Sequence, residues 1–223
     1  MKINRQSLQN RIVHFGVALS VFVLIFTGIL QMPVAKRYML NEIPFMAWTV
    51  DYNISLAIHY IFAGVLMFFG FLHIVFHFLR KEFDILPKKG DLKQSYILIK
   101  AMITKQPEPP CEKYLPEQRI AYIVIVFILA LLIITGYIKL FKNLAGFNLS
   151  KEVMFWSTQL HNIGTFLIVF AIFGHLFAFV FKQNRPLLSA MFSGKVDADY
   201  VIHRHSLWEK GVKEAKKAKN HTD

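Results

Sequence analysis

Four stretches of this chain, Ile12–Ala35, Tyr52–Leu79, Ile120–Ile138 and Val153–Phe181, contain no Asp, Glu, Lys or Arg. Each is long enough to cross a hydrocarbon core of roughly 30 Å as a helix, and in lipid every backbone polar group must be satisfied within its own segment. The expectation is an all-α membrane protein, a bundle of four transmembrane helices over about 8–33, 52–79, 118–140 and 153–181. Residues 1–223 then form a single membrane domain with a cytoplasmic tail over 182–223. A net charge of +12 would otherwise suggest nucleic acid, but the basic residues lie between the apolar runs. Hydrophobic residues make up 55% of the chain, 22 phenylalanines among them, so the partner is the bilayer and not nucleic acid.

Lys and Arg also set the orientation. The N-terminus, the connection over 80–119 and the tail from 182 together hold 21 of them, against five (Lys36, Arg37, Lys139, Lys142 and Lys151) on the other side. The positive-inside rule places both termini in the cytoplasm. The first run could pass for a signal peptide cleaved within "MPVAK" at 32–36, but it is too long for a usual signal core and carries His14, so it reads as a retained helix.

Between the second and third spans, Leu92, Tyr96, Ile99 and Ile103 recur at helical spacing beside Lys93, Lys100 and Lys105. This is the pattern of an amphipathic helix at the inner leaflet, ended by "QPEPP" at 106–110. The last residues, "GVKEAKKAKNHTD", read as a frayed, solvated end, and no internal repeat is strong enough to rely on. A single cysteine, Cys111, rules out an intrachain disulfide, and no Cys-x-x-Cys-His is present to attach a haem covalently.

The informative residues are histidines inside apolar runs. His161 and His175 are fourteen residues apart, as are His59 and His73. Fourteen residues rise about 21 Å and nearly complete four turns, so each pair shares a helix face at two depths. The two helices run in opposite directions, which levels His59 with His161 near the outside and His73 with His175 near the inside. His14 lies at that inner level too. A lone intramembrane histidine commonly bonds a neighbouring helix. Several of them stacked in two layers fit two haems, each held between two axial imidazoles, better than zinc, which gathers four ligands at one point. The inner layer thus has three candidates, His14, His73 and His175, whereas His77 lies near the end of its helix, and His203, His205 and His221 lie in the polar tail. Gly16, Gly64, Gly164 and Gly174 would give a flat macrocycle room.

Longer motifs carry a resemblance. "NRIVH" opens the first span and "TGI" closes it; "IHYIFAG" follows in the second; "KYLPEQRIAY" leads to "ITGY" in the third; "LHNIGTFLIVFAIFGH" fills the fourth; and "SAMFSGKVDADYVIHRHSLWEK" comes after it. Together these pieces resemble the b-type cytochrome (gamma) subunit of membrane-bound formate dehydrogenase, within the wider di-haem cytochrome b family of formate dehydrogenases and nickel–iron hydrogenases. The last piece is the most specific.

The resemblance implies two haem b groups, a periplasmic-side one on His59 and His161 and a cytoplasmic-side one on His14 and His175, with His73 the alternative to His14. It implies a quinone site beside the inner haem, with Tyr114, Glu117 and Gln118 as candidates, and haem propionate contacts from Arg11 and Arg119. Two departures stand out: His73 falls where the family has an apolar residue, and Leu115-Pro116-Glu117-Gln118 falls where it often reads Asn-Ala-Gly-Gln.

The implied function is a subunit of the bacterial inner membrane that receives electrons from a periplasmic molybdenum or tungsten catalytic subunit through an iron–sulfur subunit. It would reduce menaquinone or ubiquinone near the cytoplasm, in a complex that forms higher oligomers in the family. Driving an electron inward costs about 2.3 kcal/mol per 100 mV of membrane potential, so a low-potential donor such as formate is required. The alternatives are the equivalent subunit of a hydrogenase or of a thiosulfate or polysulfide reductase, and a stand-alone di-haem oxidoreductase.

Overall fold

A computed structural model describes residues 1–32, 39–144, 146 and 148–220. Lys36, Arg37, His221 and most of the "MPVAK" segment lie outside the described residues. Four helices have the length and hydropathy of membrane spans: α1 (Leu8–Leu30), α2 (Tyr52–Arg80), α4 (Pro116–Phe141) and α5 (Lys151–Phe177). Among the described residues the ends follow local chemistry. Asp51 caps α2 by accepting the backbone N–H of Asn53 and Ile54. Ser150 caps α5 through Val153 N–H. Pro116 opens α4 at the first turn, where its missing N–H costs nothing.

The chain divides into two compact units, one over Leu8–Lys81 and the other comprising Met1–Ser7 with Glu82–Asp223. The first unit is an antiparallel hairpin of α1 and α2. The ring of Phe69 lies 2.5 Å from where a Cβ on Gly16 would fall, so any larger residue there would have to displace the ring. In the second unit, α4 and α5 pair in the same antiparallel manner, with Leu132 of α4 packed on Gly164 of α5. Phe68, Phe166, Phe170 and Phe173 are more than half exposed, which is the lipid-facing surface expected of such helices.

The rest of the second unit forms a cap at the charged end of α4 and α5. The amphipathic segment is helix α3 (Asp91–Thr104), stopped by Lys105 in the left-handed conformation, φ 55°, before "QPEPP". Its Leu98, Ala101 and Met102 are buried, while Leu92, Tyr96 and Ile103 are 64 to 78% exposed. α3 therefore has a protein-facing side and an apolar outward side, as an interfacial helix requires. After α5 come α6 (Arg185–Ser193), a strand β2 (Lys195–Asp197), α7 (Ala198–Arg204) and α8 (Glu209–Asn220).

Three features of this cap depart from the sequence reading. Residues Lys2–Asn4 form a strand, β1, paired antiparallel with β2, so among the described residues the fold is all-α except for a two-stranded ribbon. The segment before α1 and the segment after α5 thus share one sheet, which needs an even number of membrane crossings between them. The tail up to Asn220 is an ordered helix: α8 packs on α7 and β1, with Ala215 fully buried. His205 is not solvated either. It is fully buried, donates from Nδ1 to the carbonyl of Glu112 at 2.6 Å and accepts from Arg5 at Nε2. Burial, helped by the Arg5 charge, lowers its pKa to about 3, so it stays neutral at any physiological pH.

Candidate functional site

Each hairpin contains the same arrangement at its outer end. In the first, Thr27 of α1 stands 2.9 Å from Nδ1 of His59 on α2. In the second, Thr135 of α4 stands 2.9 Å from Nδ1 of His161 on α5. Both threonines are buried, and both hydroxyls lie close to the carbonyl one turn back, 2.8 Å to Val23 and 2.7 Å to Leu131. A hydroxyl has one hydrogen, and contacts this short between two oxygens require it, so each threonine donates to the backbone. Its oxygen must then accept from the imidazole. The proton of each ring is thereby assigned to Nδ1 and the lone pair to Nε2, the state in which a histidine ligates a metal.

A glycine follows each threonine. His59 Cε1 comes within 3.7 Å of the position a Cβ would take on Gly28, and His161 Cε1 within 3.5 Å of that on Gly136. Ser157, one turn before His161, adds a bond across the second hairpin to the Thr135 carbonyl at 3.0 Å. Ser55, at the matching place in α2, bonds instead within its own turn to Tyr52.

These contacts expose a repeat. "NRIVH" at 10–14 and "QRIAY" at 118–122 open α1 and α4, and Thr-Gly follows thirteen residues after His14 and after Tyr122. Ser-x-x-x-His followed by a second histidine fourteen residues on runs through α2 and α5 alike. The inner level is therefore His14 with His73 in one hairpin and Tyr122 with His175 in the other. His73 packs edge-on against His77 at 4.3 Å between centroids; His14 and His175 are exposed residues beside Phe15 and Phe179. Of the four glycines expected to make room, Gly64 and Gly174 face open space, whereas Gly16 and Gly164 are covered by Phe69 and Leu132.

The other candidates cluster at the start of α4. Arg119 is 3% exposed and forks onto Asp91 of α3 at 2.8 and 2.6 Å, with its remaining terminal nitrogen on the Tyr114 carbonyl at 2.9 Å and on Glu112. Four of its five N–H groups are thus committed to protein. The guanidinium holds the Asp91 carboxyl below the usual carboxylate range. Arg11, its counterpart at the start of α1, is half-buried. Gln118 accepts the Leu115 N–H through Oε1 at 3.1 Å. The Tyr114 ring has the Arg5 and Lys113 cations at 5.9 and 5.3 Å from its centroid. Both carboxyl oxygens of Glu117 are buried without a hydrogen-bond partner.

Sequence reasoning missed Thr27 and Thr135, although the Thr-Gly pair was visible in both "TGI" and "ITGY". Pairing a hydroxyl with a ring nitrogen across 26 or 32 residues needs helix–helix contact, which spacing alone does not give.

The donor set fits haem. Porphyrin supplies four equatorial nitrogens, so the protein need present only isolated imidazoles with a lone pair on Nε2, which the threonines fix. Among the described residues no three His, Cys, Asp or Glu side chains converge as a metal ion held by protein alone would need. No curated protein matches the chain. The family model for prokaryotic cytochrome b561 matches residues 5–194. With its membrane spans and its oriented imidazoles, the chain belongs to the prokaryotic cytochrome b561 family, bacterial multi-pass membrane proteins that carry electrons on haem b.

Proposed function

We propose that this protein is the membrane subunit of a formate dehydrogenase complex, passing electrons from periplasmic partner subunits to quinone near the cytoplasmic face. Two haem b groups would supply one-electron carriers at two depths of the membrane. The observation that supports the haem part of the reading is the duplicated Thr–His pair, which prepares one imidazole per hairpin, His59 and His161, to hold haem iron; the donor and the quinone follow the sequence resemblance. Following the sequence resemblance, these two serve the outer haem, and His14 and His175 the inner one, with His73 held against His77.

The protein's own part is orientation and exclusion of water. Thr27 and Thr135 keep the ligand tautomer, Gly28 and Gly136 admit the rings close to the helix backbone, and the apolar spans keep water from the cofactor. Arg11 and Arg119 are the propionate candidates, Arg119 with one N–H left beyond its protein partners. Tyr114, Glu117 and Gln118 form the quinone-side group at the start of α4.

The test is the reduced-minus-oxidised spectrum and haem-to-protein ratio of the purified chain, followed by co-purification from its native membrane. Two haem b per chain, reducible by formate only when a molybdenum or tungsten subunit and an iron–sulfur subunit accompany it, is the expected result. A nickel–iron subunit in their place, with reduction by hydrogen, would assign the chain to a hydrogenase instead.

A further inference from the structure

The cap at the charged end of α4 and α5 turns two apolar helix faces away from the protein. Leu98 and Met102 of α3 and Leu187 of α6 meet Leu115, the residue before α4, in one buried core. Both helices are therefore fixed to one base. At about 100° per residue, Leu92, Tyr96, Ile99 and Ile103 fill a sector of α3 roughly 60° wide, about a quarter turn round from that core, with Lys93 and Lys100 about 80° beyond it. In α6, Leu188 and Phe192 stand one turn apart on the side away from Leu187 and Ala190, 39 and 66% exposed, and Arg185 flanks them.

These faces combine exposed apolar carbon with positive charge. Among the described residues Lys93, Lys100 and Arg185 have no ion-pair partner. The one acid of α3, Asp91, is buried on Arg119, and α6 has none. The contrast is α8, which carries five lysines with glutamates among them and exposes no large apolar side chain, as a solvated helix does. The faces of α3 and α6 instead match the two parts of a phospholipid at its interface, acyl chain and phosphate. They also continue a lipid-facing surface, because Phe177 and Val180 at the end of the fourth span are 62 and 60% exposed.

We propose that α3 and α6 form a docking site for anionic phospholipid, with their apolar faces among the acyl chains and Lys93, Lys100 and Arg185 on the phosphate headgroups. The charge count puts this site in the inner leaflet. A neutral bilayer would cover the apolar faces and leave the cations unanswered, and an acidic protein surface would answer the cations and leave the apolar faces in water. Anionic lipid satisfies both at once. The site uses only this chain's own surface and stands apart from the haem ligands and from the quinone reading.

The experiment places the full-length haem-loaded protein in phosphatidylcholine membranes and compares, by electron spin resonance, the immobilised fractions of spin-labelled phosphatidylglycerol and spin-labelled phosphatidylcholine. Wild type should prefer phosphatidylglycerol. The combined variant Lys93→Gln, Lys100→Gln and Arg185→Gln should cut that preference by about fivefold or more at unchanged haem content, since one cation near an anionic surface is worth about that factor. Lys210→Gln with Lys213→Gln and Lys216→Gln on α8 should leave it as it was. No preference in wild type, or an equal loss in the α8 variant, would overturn the site. Salt carries the test if the first variant loses haem: at about 1 M, where the screening length falls to about 3 Å, the wild-type preference should vanish, and its persistence would overturn the headgroup contacts. A fluorophore on Phe192→Cys, with Cys111 buried, reads the apolar face. Quenching by nitroxide-labelled acyl chains is expected, and quenching by aqueous iodide alone would overturn the placement of α6.

Discussion

The two membrane hairpins are variations on one design, and they differ where their counterparts no longer match. At the outer level they agree: a buried threonine, a following glycine and an imidazole held through Nδ1 at 2.9 Å in each. At the inner level the first hairpin has His14 and His73, whereas the second has Tyr122 and His175. Arg119 at the start of α4 is bound by Asp91 of α3, an element with no counterpart before α1. The packing differs too. Gly16 and Phe69 interlock in the first hairpin, and the corresponding positions of the second are Val124 and Ala171. The outer level is shared by the two halves, and the inner level is where they have separated.

The largest effect should come from the imidazoles. His59→Ala and His161→Ala should each lower the haem-to-protein ratio by the same amount, whereas Tyr122→Phe should leave it unchanged. A ratio altered by Tyr122→Phe, or by only one of the two histidine substitutions, would break the comparison. His14→Ala and His73→Ala sharpen it: loss of haem with the first and not the second assigns the inner ligand.

Next in size is the arginine difference. Asp91→Ala leaves the buried Arg119 guanidinium without its main partner and should destabilise the second unit by about 3–5 kcal/mol. Thermal unfolding in detergent would measure it. An effect below about 1 kcal/mol would show that Arg119 finds a replacement acceptor and that α3 does not secure α4.

The threonines come third. Thr27→Val and Thr135→Val remove the acceptor while keeping the side-chain shape, and each should weaken haem affinity by about 10–100-fold, as losing the hydrogen-bond partner of a metal-ligating histidine does. Haem transfer to apomyoglobin reads this. The loss should be larger at Thr27, because Ser157 still ties α5 to the Thr135 carbonyl and so keeps the second pair together. The smallest effect should be Gly16→Ala, which displaces the Phe69 ring at about 1–3 kcal/mol, while Val124→Ala should cost less. Similar losses would mean that the halves pack alike after all.

Much of the fold was legible in the residues themselves. Hydropathy placed the spans to within three residues of α1, α2, α4 and the start of α5, and a spacing of fourteen placed His59, His73, His161 and His175 at two depths. The repeat was not legible, because of the three inner-level histidines His14 is matched by Tyr122 and only His73 and His175 correspond, and the connecting segments share nothing. His205 read as a tail residue because a His-x-His beside Trp208 and a lysine-rich helix looks solvated; its burial depends on Arg5, 200 residues away.

By itself the sequence determined the features that local properties impose. Apolar runs free of charge must be helices in lipid, lysine and arginine distribution fixes their direction, and the regular rise of a helix sets the depth of each histidine. Tertiary structure alone decided which ring nitrogen carries the proton, that Asp91 engages Arg119, and that the first residues of the chain form a strand with β2. Those outcomes are contacts between groups distant along the chain, and a hydrogen bond depends on where two atoms meet in space, which no residue's own preference specifies.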